Sequence, residues 1–307
     1  MAASPSRLNI YGAVAANRWR TIALIAVFTG LLTGLGFAVG EVFAPGGGLA
    51  MVPAALGLSG VSATASYFAG DKLVLAQSQA RELAPGEGAQ LRNIVETLSI
   101  GLGIPPPRIH VIDDSAPNAF ATGRDPKHAS IAVTRGLIDK LDRTELEGVI
   151  AHELSHVGNH DIRVMLLVTV LVGTIALLSD WGMRSMFWGR GGGRRDRGGG
   201  NAGAIILIVA LVLAILTPII AQLIRLAVSR QREYLADASG ALLTRFPPGL
   251  ASALRKIAAD KEALEVANKA TASLYFANPL KDLPRAMDGL FDTHPPIAER
   301  IRRLEAM

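Results

Sequence analysis

Four uncharged, mostly apolar runs punctuate the chain: Thr21 to Gly40, Leu49 to Gly70, Val164 to Ser179 and Ala202 to Ile224. As a helix the first run reaches roughly 30 Å, the thickness of a bilayer's hydrocarbon core, and the second is as long. Pro45-Gly46-Gly47-Gly48 breaks the chain between them, so the pair reads as a transmembrane hairpin. Two G-x-x-x-G spacings, Gly30/Gly34 and Gly36/Gly40, allow close helix contact. The third run reaches only about 24 Å, and the fourth is long enough to span, with Pro218 as a kink.

The remaining stretches alternate polar and apolar positions. Helical pattern runs from Asp71 to about Leu83, breaks at Pro85-Gly86 and resumes to about Leu102. Arg108–Ile112 reads as a strand. Asn118–Thr122 and Ser130–Val133 read as a hairpin around Gly123, Asp125 and Pro126. Thr134–Leu141 predicts a short helix. Thr144-x-x-Glu147 has the form of a capping box opening the next one. Pro247-Pro248 and Pro295-Pro296 each start a later helix. Four segments result: an N-terminal membrane hairpin, 1–70; a first soluble part, 71–163; a second apolar hairpin, 164–229; and a second soluble part, 230–307.

Charge adds orientation. Arg7, Arg18 and Arg20 precede the first run and no Lys or Arg follows it before the second, which places the N-terminus in the cytoplasm. Five arginines (184, 190, 194, 195, 197) lie between the third and fourth runs, against that rule if both span, so spanning and dipping both stay open here. The net charge is +5, but no basic patch interleaved with aromatics is present, and no nucleic-acid partner is expected. There is no cysteine, so a metal site would have to use His, Asp or Glu.

The helix opened near residue 144 carries His152, Glu153 and His156 in the order His-Glu-x-x-His. Positions i and i+4 share a helix face, so two imidazoles can point at one ion, and Glu153 can face the open coordination position as a general base. His160 continues the series but lies about 12 Å along the axis from His152, too far to share that ion. The segment after the fourth run, SRQREYLADASG, offers Glu233 and Asp237. Glu233 would complete a His₂Glu set with one open position, the catalytic arrangement for zinc. Asp237 could accept the spare N–H of a ligating histidine. The apolar hairpin between the two motifs would bring them together.

With H-E-L-S-H, V-G-N-H-D and S-R-Q-R-E-Y-L-A-D-A stand P-N-A-F-A-T-G at Pro117–Gly123 and T-H-P-P at Thr293–Pro296. In this combination the chain resembles the HtpX-type membrane-bound zinc metallopeptidases, relatives of the CAAX prenyl endopeptidases. The resemblance implies an α-helical integral membrane protein whose α+β catalytic domain is zincin-like (gluzincin), with a small β-hairpin or sheet beside the HExxH helix. It implies one Zn²⁺ per chain on His152, His156 and Glu233, with Glu153 as the base. Asn118, Ala119, Phe120, Ala121 and Thr122 would form an exposed edge to which a substrate strand adds, and His294 would donate to the oxyanion.

The expected activity is endopeptidase cleavage of misfolded or damaged membrane proteins, without ATP, since no G-x-x-x-x-G-K-[ST] loop is present. The expected setting is the bacterial inner membrane, multi-pass, with the catalytic domain in the cytoplasm. Expected partners are unfolded or membrane-protein substrates, the lipid bilayer, further copies of the chain and other membrane quality-control proteases. Two rival readings remain: a prenyl-protein endopeptidase, and a metal-binding membrane scaffold that would have no use for Glu153.

Overall fold

The computed structural model describes residues 10–171, 173, 230–267, 271–279 and 295–307. The chain opens with two long helices, α1 (Ile10–Phe43) and α2 (Gly48–Gln77), packed as a hairpin. Within them Trp19–Ala38 and Gly48–Gln77 are long and apolar enough to cross a membrane. Only 22% and 17% of their apolar windows are buried, so neither is the core helix of a globular domain. Glu41 closes the connection by accepting from the backbone N–H groups of Gly46 and Gly48. The two glycine pairs divide: a Cβ on Gly40 would meet the Gly47 carbonyl at 2.7 Å, whereas Gly30 and Gly34 face open space. Gly36 and Gly40 therefore serve the hairpin.

Helix α2 stops at Gln77 rather than near Leu83. Gln79 takes a φ of 50°, and Arg81–Glu82 become a short strand, β1. After α3 (Ala89–Leu102) come β2 (Arg108–Ile112), β3 (Ala119–Gly123) and β4 (Ala129–Thr134). The sheet order is β1-β2-β4-β3. The expected β3–β4 hairpin is present with Phe120 opposite Ala132, while β2 runs parallel to β4 and β1 antiparallel to β2. Every residue of β3 and β4 is buried, because both faces of the sheet are covered. Ile109, Val111, Ala121, Ile131 and Val133 join the main core. Phe120, Ile112 and Ala132 pack with Val74, Leu75, Met165 and Tyr275 on the other face.

Helices α4 (Arg135–Lys140) and α5 (Arg143–Gly158) follow, then a helix α6 over 161–171 that enters the third apolar run. The capping box of α5 is Asp142 with Glu145, two residues earlier than expected. Asp142 Oδ1 accepts from Glu145 N, and the Glu145 carboxylate accepts from Asp142 N. Thr144 instead donates to Asp142, and Glu147 pairs with Arg143. Asp142 is the stronger acceptor for the first-turn N–H groups, being charged. The last described elements are α7 (Arg230–Thr244), α8 (Pro247–Ala259) and α9 (Ile297–Glu305). Helices α7 and α8 pack on α5, and α9 packs on both. The fourth apolar run and the Gly/Arg-rich stretch at 189–200 lie outside the described residues.

Candidate metal centre

Helix α5 is buried over most of its length, which is why its polar residues matter. His152, Glu153 and His156 are all buried, although a charged side chain in such a place is costly unless it is paired. Helix α7 crosses close to α5. A Cβ at Gly240 would come within 3.0 Å of the His152 backbone nitrogen, so the glycine permits the approach. That approach carries Glu233 and Asp237 into the same space.

The Nε2 atoms of His152 and His156 come to 3.2 Å of each other. Glu233 Oε1 lies 3.5 Å from His156 Nε2, and its Oε2 lies 3.8 Å from His152 Nε2. Three donor atoms, one per residue, lie within 4.8 Å of one another, and all three residues are buried. A tetrahedral zinc with bonds of about 2.0–2.1 Å separates its ligand atoms by about 3.3–3.4 Å. The set thus fits a small divalent ion in both chemistry and spacing. His160 has a φ of 58° beyond the end of α5 and is not part of the cluster.

Each imidazole is held from behind. His152 Nδ1 lies 2.9 Å from Asp237 Oδ1, as the spacing of Glu233 and Asp237 suggested. Arg300 in turn grips Asp237 with two bonds, Nε to Oδ2 at 2.9 Å and one terminal nitrogen to Oδ1 at 2.7 Å. It is fully buried, donates to the Phe276 carbonyl and stacks over that ring. His156 Nδ1 lies 3.2 Å from Asp161 Oδ2. Asp161 Oδ1 accepts from Arg232 Nε at 3.0 Å and from Asn17 Nδ2 at 2.8 Å. With Nδ1 as donor on both rings, each Nε2 lone pair faces the shared point.

The electrostatics of the two rings diverge. Burial drives His152 down to about 4; the hydrogen bond and charge of Asp237 recover only part of that loss, and the Arg300 charge adds to it. Burial opposes protonation of His156 too, but the Asp161 hydrogen bond and the charges of Glu233, Asp161 and Glu153 outweigh it and raise the ring to about 9. Asp237 is held at about 2 despite burial, by the charge and hydrogen bonds of Arg300 and by His152. The Glu153 charge acts on both His156 and Arg300, which puts that carboxylate at the same centre.

The substrate edge differs from expectation. β3 is an edge strand, but it is buried, and part of it is engaged by the chain itself. The Asn118 side chain clasps Ala277 through both its amide groups, and Phe276 N donates to the Ala119 carbonyl at 2.8 Å. Buried backbone groups need partners, and residues 276–277 supply them. His294 lies outside the described residues. Arg300, Asp161, Arg232 and Asn17 were not singled out from the sequence. Arg300 had a signal: it falls between Ile297 and Leu304 on the apolar stripe of α9, where a cation requires a buried carboxylate.

Comparison with known proteins agrees with this geometry. The model of peptidase family M48 matches residues 85–307. A protease HtpX homolog of Dictyoglomus thermophilum is 47% identical over 299 residues, covering 97% of this chain and 95% of the relative. One from Tropheryma whipplei (strain Twist) is 44% identical, covering 97% and 98%. Among solved structures, Ste24p of S. mikatae aligns with a TM-score of 0.50 at 21% identity, covering 96% of this chain and 67% of that one, a likeness of fold. The chain belongs to peptidase family M48 and is a metalloprotease of the membrane.

Proposed function

We propose that the protein is a zinc endopeptidase that cleaves unfolded or damaged membrane proteins at the cytoplasmic face of a bacterial inner membrane, without ATP. The observation that carries the reading is the convergence of His152, His156 and Glu233, with each histidine backed by its own carboxylate. When bound by those three residues, zinc would supply a Lewis acid that polarises the scissile carbonyl and brings the pKa of water toward about 7.

The chain's own residues do the rest. Glu153 takes the proton of the attacking water and returns it to the leaving amine. Its burial keeps bulk water from competing for that proton. Asp237 and Asp161 hold the histidines in the tautomer that leaves Nε2 free. His294 retains the role of donor to the oxyanion. A substrate strand would pair with the outer edge of β3. Backbone groups alternate along a strand, so those of Ala121 and Gly123 share the outward direction of Ala119, whose carbonyl is already taken by Phe276. On this reading the substrate strand would pair from Ala121 onward.

The test is cleavage of an unfolded protein by detergent-purified chain, stripped of metal and then restored with zinc. Zinc-dependent cleavage that drops by about 10²–10⁴ in Glu153→Gln supports the reading. Zinc binding by both proteins with cleavage by neither would favour the scaffold alternative. Cleavage restricted to lipidated tails would favour the prenyl-protein alternative.

A further inference from the structure

Asn17 stands two residues before the first membrane-spanning stretch, yet it is among the most buried polar residues of α1. Nothing in the anchoring of a span calls for a carboxamide there. Its bonds lead elsewhere. One amide N–H reaches Asp161 Oδ1 at 2.8 Å and the other the Asn159 carbonyl at 3.0 Å. Its Oδ1 accepts from Arg20 at 3.2 Å and lies 3.4 Å from an Arg232 guanidinium nitrogen. Donors meet acceptors and the acceptor meets two cations, so the amide has one sensible orientation. The flipped amide would set its oxygen against a carboxylate and a carbonyl.

This places α1 at a junction. Asn159 and Asp161 lie where α5 ends and α6 begins, and Arg232 precedes Glu233 on α7. Asp161 takes bonds from Asn17 and Arg232 on one oxygen and faces His156 with the other. Each of these groups is buried, where a hydrogen bond is strong and an unmet one costly.

We propose that Asn17 is a positioning residue of the metal centre: by fixing Asp161 it fixes His156, so that a helix of the membrane hairpin completes the outer ring of the metal site. The proposal rests on the metal-centre reading above. It predicts that the site reaches full metal affinity only with α1 docked against the α5–α7 junction. Groups that orient a ligating histidine typically carry about ten- to hundredfold in metal affinity.

The experiment uses full-length protein in detergent, made metal-free. Zinc affinity is measured by competition with a chromogenic chelator, and the cobalt-loaded protein gives a visible absorption spectrum that reports ligand geometry. Asn17→Ala and the milder Asn17→Ser are compared with the parent and with Thr21→Val. Thr21 is a local control: its hydroxyl donates to the Asn17 main-chain carbonyl and, among the described residues, to no group of the metal centre. The expected result is a zinc affinity about ten- to hundredfold weaker in Asn17→Ala, with an altered cobalt spectrum in a protein that still unfolds cooperatively without metal, while Thr21→Val matches the parent.

Affinity and spectrum within about twofold of the parent would overturn the proposal. So would failure of both Asn17 variants to fold, which would make Asn17 a packing residue. A parent that binds no zinc is a separate result, one that removes the metal-centre reading itself.

Discussion

The two candidate ligand histidines are held by the same device built twice. Behind His152 stand Asp237 and Arg300; behind His156 stand Asp161 and Arg232. The first clamp is closed within the C-terminal half, between α7 and α9. The second draws on α6, α7 and α1, and so on the membrane hairpin. Their electrostatics also differ. Arg300 sits 3.3 Å from the His152 ring and disfavours its charged form, whereas the carboxylates of Asp161, Glu233 and Glu153 around His156 favour its charged form. Similar hydrogen bonding thus gives opposite tendencies, because a guanidinium flanks one buried ring and further carboxylates flank the other.

The sharpest way to break the comparison is Arg300→Met. It leaves Asp237 charged, buried and without its bidentate partner, which should cost about 3–5 kcal/mol in the metal-free protein, read from chemical unfolding. Arg300→Lys should not recover the loss, because an ammonium cannot make both bonds. A loss under about 1 kcal/mol would mean that the first clamp is not the stronger one. Saturating zinc ranks next. At a hundredfold excess over its dissociation constant it should stabilise the parent by about 2.7 kcal/mol, and a melting temperature unmoved by zinc would contradict a built site.

Arg232→Met should cost less than Arg300→Met, about 1–3 kcal/mol, since Asp161 keeps the Asn17 amide. Equal losses in the two arginine variants would erase the distinction between the clamps. The smallest effect belongs to a surface counterpart that is only half-buried. Glu87, hydrogen-bonded by Arg81 and Arg135, has its carboxyl lowered to about 2, chiefly by Arg81. A depressed folded-state pKa stabilises above the ordinary value of 4.5 and loses that contribution as pH falls toward about 2. Glu87→Gln should therefore flatten the acid limb of a melting-temperature profile slightly, and high salt should hide the difference. A large effect there would show that surface pairs rival the buried clamps.

What the sequence disclosed follows periodicity and spacing. His152 and His156 at i, i+4, and Glu233 with Asp237 at the same spacing, could be read because a helix turns fixed intervals into shared faces. The two long apolar helices of the N-terminal hairpin could be read because an uncharged apolar run of that length has few other uses. The α5 start was displaced by two residues because both 142–145 and 144–147 offer an acceptor and a glutamate, and only the fold chooses between them. Strand β1 has two residues and no pattern of its own; pairing with β2 creates it. Asp161 and Asn17 are ordinary polar residues in sequence, 144 positions apart, and acquire meaning only when α1 meets the end of α5.

That meeting bears on where the enzyme can work. Asn17 sits on the same helix that holds the protein in the bilayer. A catalytic fragment cut loose from its anchor would leave behind the amide that steadies Asp161. The anchor then does more than restrict diffusion: a fragment shed from the membrane would be a poorer holder of its metal. Confinement to the membrane and competence to cut would be lost together.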